Sequence, residues 1–130
     1  MARSLRGTSR AKLASPEDLR ARCGRHVGAI EEFPFGPEVA VWKVGGKVFA
    51  IVSVDGPPAT ISLKCDPEEA VALREQYDAV TAGYHLNKRH WNTVVADGEV
   101  PDGEISEMIL DSYSLVVASL PKRVRAELSS

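Results

Sequence analysis

The chain has 130 residues, 44% apolar and 26% charged, which fits one globular domain and excludes a low-complexity or fibrous chain. Its formal charge of −2 hides a split: residues 1–26 carry seven Lys/Arg against two Asp/Glu, and the remainder nine against sixteen. No apolar run approaches the roughly 20 residues that cross a bilayer, and no apolar segment follows the basic start as a signal peptide requires. A cytoplasmic protein without membrane association is therefore expected, with Cys23 and Cys65 as reduced thiols, since two cysteines make no disulfide framework and lack metal-ligand spacing.

In chain order, residues 1–14 are rich in Arg, Ser, Ala and Gly with little to bury, and are read as a flexible basic segment. Ser15-Pro16-Glu17-Asp18 is a helix start, with a hydroxyl cap, an early proline and two acids facing the positive helix end. That helix is predicted over 16–27, with Leu19 and Cys23 inward. Glu31 to Pro37 holds too many breakers for regular structure, and Phe33 and Phe35 are expected to tuck under a sheet edge. Strands follow over 39–45 and 47–54, joined by Gly45-Gly46, a two-residue hairpin signal. A third strand over 59–64 sends Ile61 and Leu63 to one face, and Thr60, Ser62 and Lys64 to the other.

Asp66-Pro67-Glu68-Glu69 opens a helix over 66–77. A strand over 90–96 comes next. The last helix, 102–119, shows Ile105, Met108, Ile109, Ser112, Leu115 and Val116 at three- and four-residue spacing. Residues 122–130, with Lys122, Arg123 and Arg125, are read as a basic tail. Helices at the start, middle and end of an antiparallel meander predict one α+β domain over 15–121. It is a sandwich with the helices on one sheet face and the other face open.

Residues 84–97 gather two histidines, adjacent cations, two asparagines, a tyrosine and a tryptophan at the mouth of a strand. Donors, cations and flat π-faces together suit an anionic or aromatic partner. Lys88, Arg89, His90 and Asn92, with Lys64, form the expected exposed polar set for nucleic acid or another anion. Tyr84, His85, Asn87 and Trp91 are assigned pocket or structural roles. Asn87 would hold the turn, and Trp91 would face the helices with Thr93 and Val95, leaving Asn92 and Val94 outward. His85 and His90 are five apart, the wrong spacing for one helix face. No nucleophile motif occurs. No catalytic residue, metal site or cofactor is expected.

The run Tyr84-His85-Leu86-Asn87-Lys88-Arg89-His90-Trp91-Asn92-Thr93-Val94 resembles the signature of the MmcQ/YjbR-like family of small bacterial proteins. Glu32-Phe33-Pro34-Phe35-Gly36-Pro37-Glu38, Val44 to Ala50, Ser62 to Pro67, Val100-Pro101-Asp102 and Asp111-Ser112-Tyr113 extend the resemblance across residues 16–121. It implies a frataxin-like (CyaY-like) α+β sandwich and a non-enzymatic DNA-binding role, with the projecting hairpins as paired wings. Two function classes follow. One is a nucleic-acid-binding module using phosphate contacts from Lys64, Lys88 and Arg89, helped by the basic termini, with weak and sequence-tolerant binding because the body is acidic. The other is a small anionic-ligand or protein-interaction module in which the same cluster lines a pocket. Phosphate-driven binding weakens steeply with salt and a dehydrated pocket does not.

Overall fold

Ser15 Oγ accepts a hydrogen bond from Asp18 N at 3.0 Å, and this cap starts helix α1, Pro16–Gly24, in a computed structural model that describes residues 14–55, 58–83 and 86–129. The flexibility expected of residues 1–14 lies outside the described residues apart from Ala14, which is buried. Helix α1 stops three residues short of expectation. Arg25 closes it through Arg22 O and Cys23 O, and Val27 is turned to solvent. Contact at that end passes to His26, whose ring stacks on Tyr113 at 4.7 Å.

Six strands follow with one helix among them: β1 Ile30–Glu32, β2 Val39–Val44, β3 Lys47–Ser53, β4 Thr60–Lys64, α2 Pro67–Gln76, β5 Val80–Ala82 and β6 Trp91–Val95, then α3 Asp102–Ala118. All pairings are antiparallel, in the order β1-β2-β3-β4-β6-β5. The four strands and three helices expected are all present. The two edge strands, β1 and β5, were not anticipated, because three residues are too few to show alternation.

The Gly45-Gly46 hairpin forms as expected. Gly45 has φ 58° and Gly46 φ 83°, the left-handed pair that a two-residue turn needs to match strand twist. Just beyond it the register slips: Trp42 pairs with Ala50 but Lys43 pairs with Val48. Phe49 is the extra residue of this bulge, which lets Phe49 and Ala50 both be fully buried in succession. The Phe49 ring meets Tyr113 edge-on at 5.4 Å.

Register then sorts the two faces. Trp42, Ala50, Leu63 and Asn92 stand in one row, and Ala40, Val52, Ile61, Val94 and Val80 in the next, all buried. Helix α3 lies over β3 and β4, α1 over β2 and β3, and α2 over β5 and β6. Inside α3, the Ser112 hydroxyl donates to Phe49 O at 2.6 Å and accepts from Lys64 N at 2.9 Å. It thereby satisfies two strand groups that the bulge and the strand end leave without ladder partners. The alternate row, Val41, Ile51, Ser62, Thr93 and Thr81, belongs to the face without helices, where Ser62 and Thr93 share a hydroxyl hydrogen bond of 2.8 Å.

Two expectations are corrected. Phe33 and Phe35 do not tuck under the sheet: they are 41% and 77% exposed, and Phe33 carries the Arg20 guanidinium over its ring at 5.4 Å. The basic tail is a further helix, α4, Lys122–Ser129. Leu120, Val124 and Leu128 recur every four residues along one side and close onto Gly45 and Gly28. A short segment of mixed charge shows little periodicity by itself. Its helix is anchored by the glycine surfaces it covers.

Those surfaces give a test. A β-carbon at Gly45 would lie 2.6 Å from Leu120 Cδ1, whereas one at Gly46 meets nothing within 4 Å. Gly46→Ala is expected to cost only the left-handed backbone penalty, about 1–2 kcal/mol. Gly45→Ala adds overpacking against buried Leu120, roughly 1–3 kcal/mol more. Urea unfolding of the two variants should show this order.

Candidate functional site

Asn92 is 3% exposed, in the middle of the helix-facing row. Its Nδ2 donates to Ala70 O at 3.2 Å and its Oδ1 accepts from Arg74 Nη1 at 2.8 Å, so both ends of the amide are used. The expected facing of β6 is therefore reversed: Asn92 and Val94 point under the helices, and Trp91, Thr93 and Val95 lie on the open face. Alternation dictates that neighbours oppose one another, but not which set goes in. A fully bonded asparagine is as acceptable inside as an apolar residue. Trp91 is half-buried opposite Lys64, and its Cβ would lie 2.8 Å from a β-carbon on Gly83.

The turn before β6 is braced from three sides. Asn87 Oδ1 accepts from Arg89 N at 3.0 Å and Asn87 O from His90 N at 3.2 Å, so Asn87 holds the turn as expected. His90 O accepts from Cys65 N at 2.7 Å, tying the turn to the end of β4. Arg74 Nη1 reaches Lys88 O at 3.3 Å, tying it to α2. Lys88 and Arg89, at the tip, are exposed and have no ion-pair partner among the described residues.

Lys88, Arg89 and Arg74 line one open groove of about 570 Å³ with Pro67, Glu68 and Val71. Of the expected polar set, the structure thus brings Lys88 and Arg89 together. Lys64 stands half-buried on the open face beside Trp91, His90 is half-buried within the turn, and Asn92 is inside. Tyr84 and His85 lie outside the described residues. Arg74 is a site residue that the sequence did not single out. Its only signal was a cation in a helix otherwise opening with acids, and proximity to a turn fourteen residues on is a tertiary fact.

The larger pattern is charge segregation. Because Val44 pairs with Lys47, Ala50 with Leu63 and Lys64 with Trp91, the Gly45-Gly46 hairpin, the end of β4 and the Lys88-Arg89 turn share one end of the sheet. Lys43, Lys47, Lys64, Lys88, Arg89 and the three cations of α4 gather there, opposed in part by Glu32, which pairs with Lys43 at 3.0 Å, by Asp66, Glu68 and Glu69 at the start of α2, by Asp111 on α3 and by Glu127 on α4. The far end of the sheet carries Glu38, Asp55, Asp78, Asp97, Glu99 and Asp102.

A smaller cleft of about 100 Å³ runs between α2 and α3, rimmed by Cys65, Glu69, Glu104, Glu107 and Asp111 over Leu63, Leu73 and Met108. Burial first, then Glu69, Asp66 and Asp111, push the Cys65 thiol up to about 11, and burial pushes Cys23 up to about 12. Neither is an activated thiol. No group of three or more His, Cys, Asp or Glu suited to a metal ion occurs among the described residues, and none of the described helices is long and apolar enough to cross a membrane.

Two outcomes follow. Asn92→Ala removes the two buried hydrogen bonds from the sheet to α2, at Ala70 O and Arg74 Nη1, and should destabilise by about 1–3 kcal/mol, whereas Lys88→Ala with Arg89→Ala should stay within roughly 0.5 kcal/mol of the parent; thermal melts compare them. At pH 8 the raised Cys65 value leaves only about one thiolate per thousand, so native-state alkylation by iodoacetamide should run roughly a hundredfold slower than for a free thiol. Retained proton also favours the folded state only below the ordinary thiol range, so stability should decline as pH rises from about 9 toward 11.

Comparison with known proteins matches this architecture. YbdF of Escherichia coli O157:H7 is 40% identical over 91 residues, 70% of this chain and 75% of that protein. YjbR of Escherichia coli K12 is 44% identical over 84 residues, 64% of this chain and 70% of that protein. The crystal structure of Deinococcus radiodurans DR2400, a DUF419 domain, superposes with a TM-score of 0.84 at 37% identity, covering 90% of this chain and 89% of that one. A family model described as YjbR matches residues 26–115, spanning β1 through most of α3 with the Lys88-Arg89 turn inside it. The chain belongs to the YjbR family of small bacterial proteins.

Proposed function

We propose that this protein is a non-enzymatic binding module that takes up the phosphate backbone of DNA at the Gly45-Gly46 end of its sheet, with Lys88 and Arg89 as the central contacts. The observation that carries this reading is the charge segregation. An acidic chain disfavours phosphate on average, yet its cations from Lys43 onward gather toward one end, Lys88, Arg89, Lys122, Arg123 and Arg125 among them without ion-pair partners among the described residues, while Glu38, Asp55, Asp78, Asp97 and Glu99 lie at the other. The turn that presents Lys88 and Arg89 is braced by Asn87 and Arg74, so its backbone is already ordered and only the two side chains lose freedom when the cations are engaged. Contacts of this kind go to phosphate and carry no base information, and the binding is weak and sequence-tolerant. The same reading takes the fold as frataxin-like and the protein as cytoplasmic, with two free thiols in keeping with a reducing compartment.

The groove supports a second reading. Pro67 and Val71 give it an apolar wall beside three cations, which suits a small phosphorylated or carboxylate ligand. Salt separates the two. Duplex DNA should bind in the non-specific range, roughly 10–100 μM or somewhat tighter at low salt, and lose affinity steeply between 50 and 200 mM salt. Lys88→Ala with Arg89→Ala should lower the slope of log K against log salt by about 2, near 0.9 for each phosphate left unneutralised, with an unchanged melting temperature. Fluorescence anisotropy on a labelled duplex reads both. A parent that does not bind duplex, or a variant with the parent's slope, would sink the DNA reading.

A further inference from the structure

Helix α4 lies beyond residues 26–115, the span of the family match. Three observations set it apart from an incidental terminus. Its apolar side is already occupied, since Leu120, Val124 and Leu128 close on Gly45 and Gly28. Its outward side presents Lys122, Arg123 and Arg125, all exposed and without an ion-pair partner among the described residues. And its first turn is basic where those of α1, α2 and α3 are acidic. Cations at a helix N-terminus oppose the macrodipole, so Lys122 and Arg123 work against the stability of their own helix. Residues held against local preference mark function more often than architecture.

Position supplies the partner. Helix α4 packs on the Gly45 turn, and Lys47 Nζ lies 3.4 Å from Ser119 Oγ just before it. The Lys88-Arg89 turn projects from β6 at the same end, two strand spacings from β3 and four from β1, so α4, which runs from Gly45 to Gly28 just before β1, lies across the sheet from it by roughly 10–20 Å. That range includes the roughly 12 Å width of the major groove of B-DNA, whose two phosphate rows the two cationic ridges would flank. We infer that α4 is the second phosphate-binding ridge of a two-ridged duplex-DNA surface, with Lys122, Arg123 and Arg125 gripping one strand while Lys88 and Arg89 grip the other. This rests on the DNA reading of the Lys88-Arg89 turn. An anionic membrane is the poorer partner, because a surface-lying helix needs a free apolar face and that of α4 is spent on the hairpin.

The test compares the full-length parent with two variants, Lys122→Ala/Arg123→Ala/Arg125→Ala and Lys88→Ala/Arg89→Ala, on a labelled 30-base-pair duplex from 50 to 200 mM salt. Leu120, Val124 and Leu128 are kept, and alanine favours helix, so the α4 variant should melt at or above the parent temperature. It should bind at least tenfold more weakly at 50 mM salt, with a slope lower by about 2–3, near 0.9 for each phosphate no longer neutralised. Should it melt lower, the glutamine equivalents replace the alanines and the slope remains the readout. Parent-like affinity and slope in the α4 variant, with binding abolished in the turn variant, would overturn the inference and leave the DNA reading standing. Weakened binding in the α4 variant alone would overturn the two-ridged surface together with the turn-centred DNA reading on which it rests. If the α4 variant binds phosphatidylserine vesicles more weakly than the parent but duplex equally well, the ridge faces a membrane and the inference fails.

Discussion

A buried amide organises the functional end of this protein. Asn92 occupies a row otherwise filled by Trp42, Ala50 and Leu63, and a polar group placed there must find partners or cost free energy. It finds them in Ala70 O and Arg74, both on α2. That requirement sets the seating of α2 over β6, and Arg74, held by Asn92, in turn holds Lys88 O. Core packing and the presentation of a surface cation are thus consecutive links of one hydrogen-bonded chain.

The remaining braces follow the same logic. Antiparallel pairing leaves strand ends and bulges with unpaired backbone groups, and three of them are answered by a specific side chain or turn. Ser112 answers Phe49 and Lys64 from inside α3, and His90 O answers Cys65 N. The Phe49 bulge brings an aromatic ring against Tyr113 and His26, so α1 and α3 converge on one point of β3. Burial and Arg25 lower the His26 pKa, consistent with a ring serving as a packing element more than as a charge. With the helices fixed on one face, the sheet ends and the open face are what remain for recognition.

Connectivity also resolves the conflict between a net acidic body and a cationic surface. Reversal at each turn sends alternate connections to opposite ends of the sheet. The Gly45-Gly46 hairpin, the entry to α2 and the Lys88-Arg89 turn fall at one end, and Asp55 after β3 and the 96–101 connection at the other. Charges that cancel in a sum are separated by the length of the strands, several residues at about 3.4 Å each. That distance exceeds the roughly 8 Å over which exposed charges act at physiological salt, so each end meets a partner with its own local charge.

Much of this was legible in the residues themselves. The Ser15 and Asp66 caps, the Gly45-Gly46 turn, the four long strands and the face of α3, apart from Leu115, which is exposed and not inward as expected, are local signals, written in residues within four or five positions of one another. The turn role of Asn87 and the exposure of Lys88 and Arg89 were equally readable, since they rest on a short polar run. Edge strands of three residues were not, being too short to show a period. Nor was the facing of β6, because alternation is symmetric and only the partners on α2 decide which side Asn92 takes. The helical state of 122–129 depended on glycine surfaces roughly eighty to a hundred residues away. The segregation of charge depended on strand order. Local propensity determined the elements of this protein; pairing register and long-range contacts decided which of their side chains face a partner.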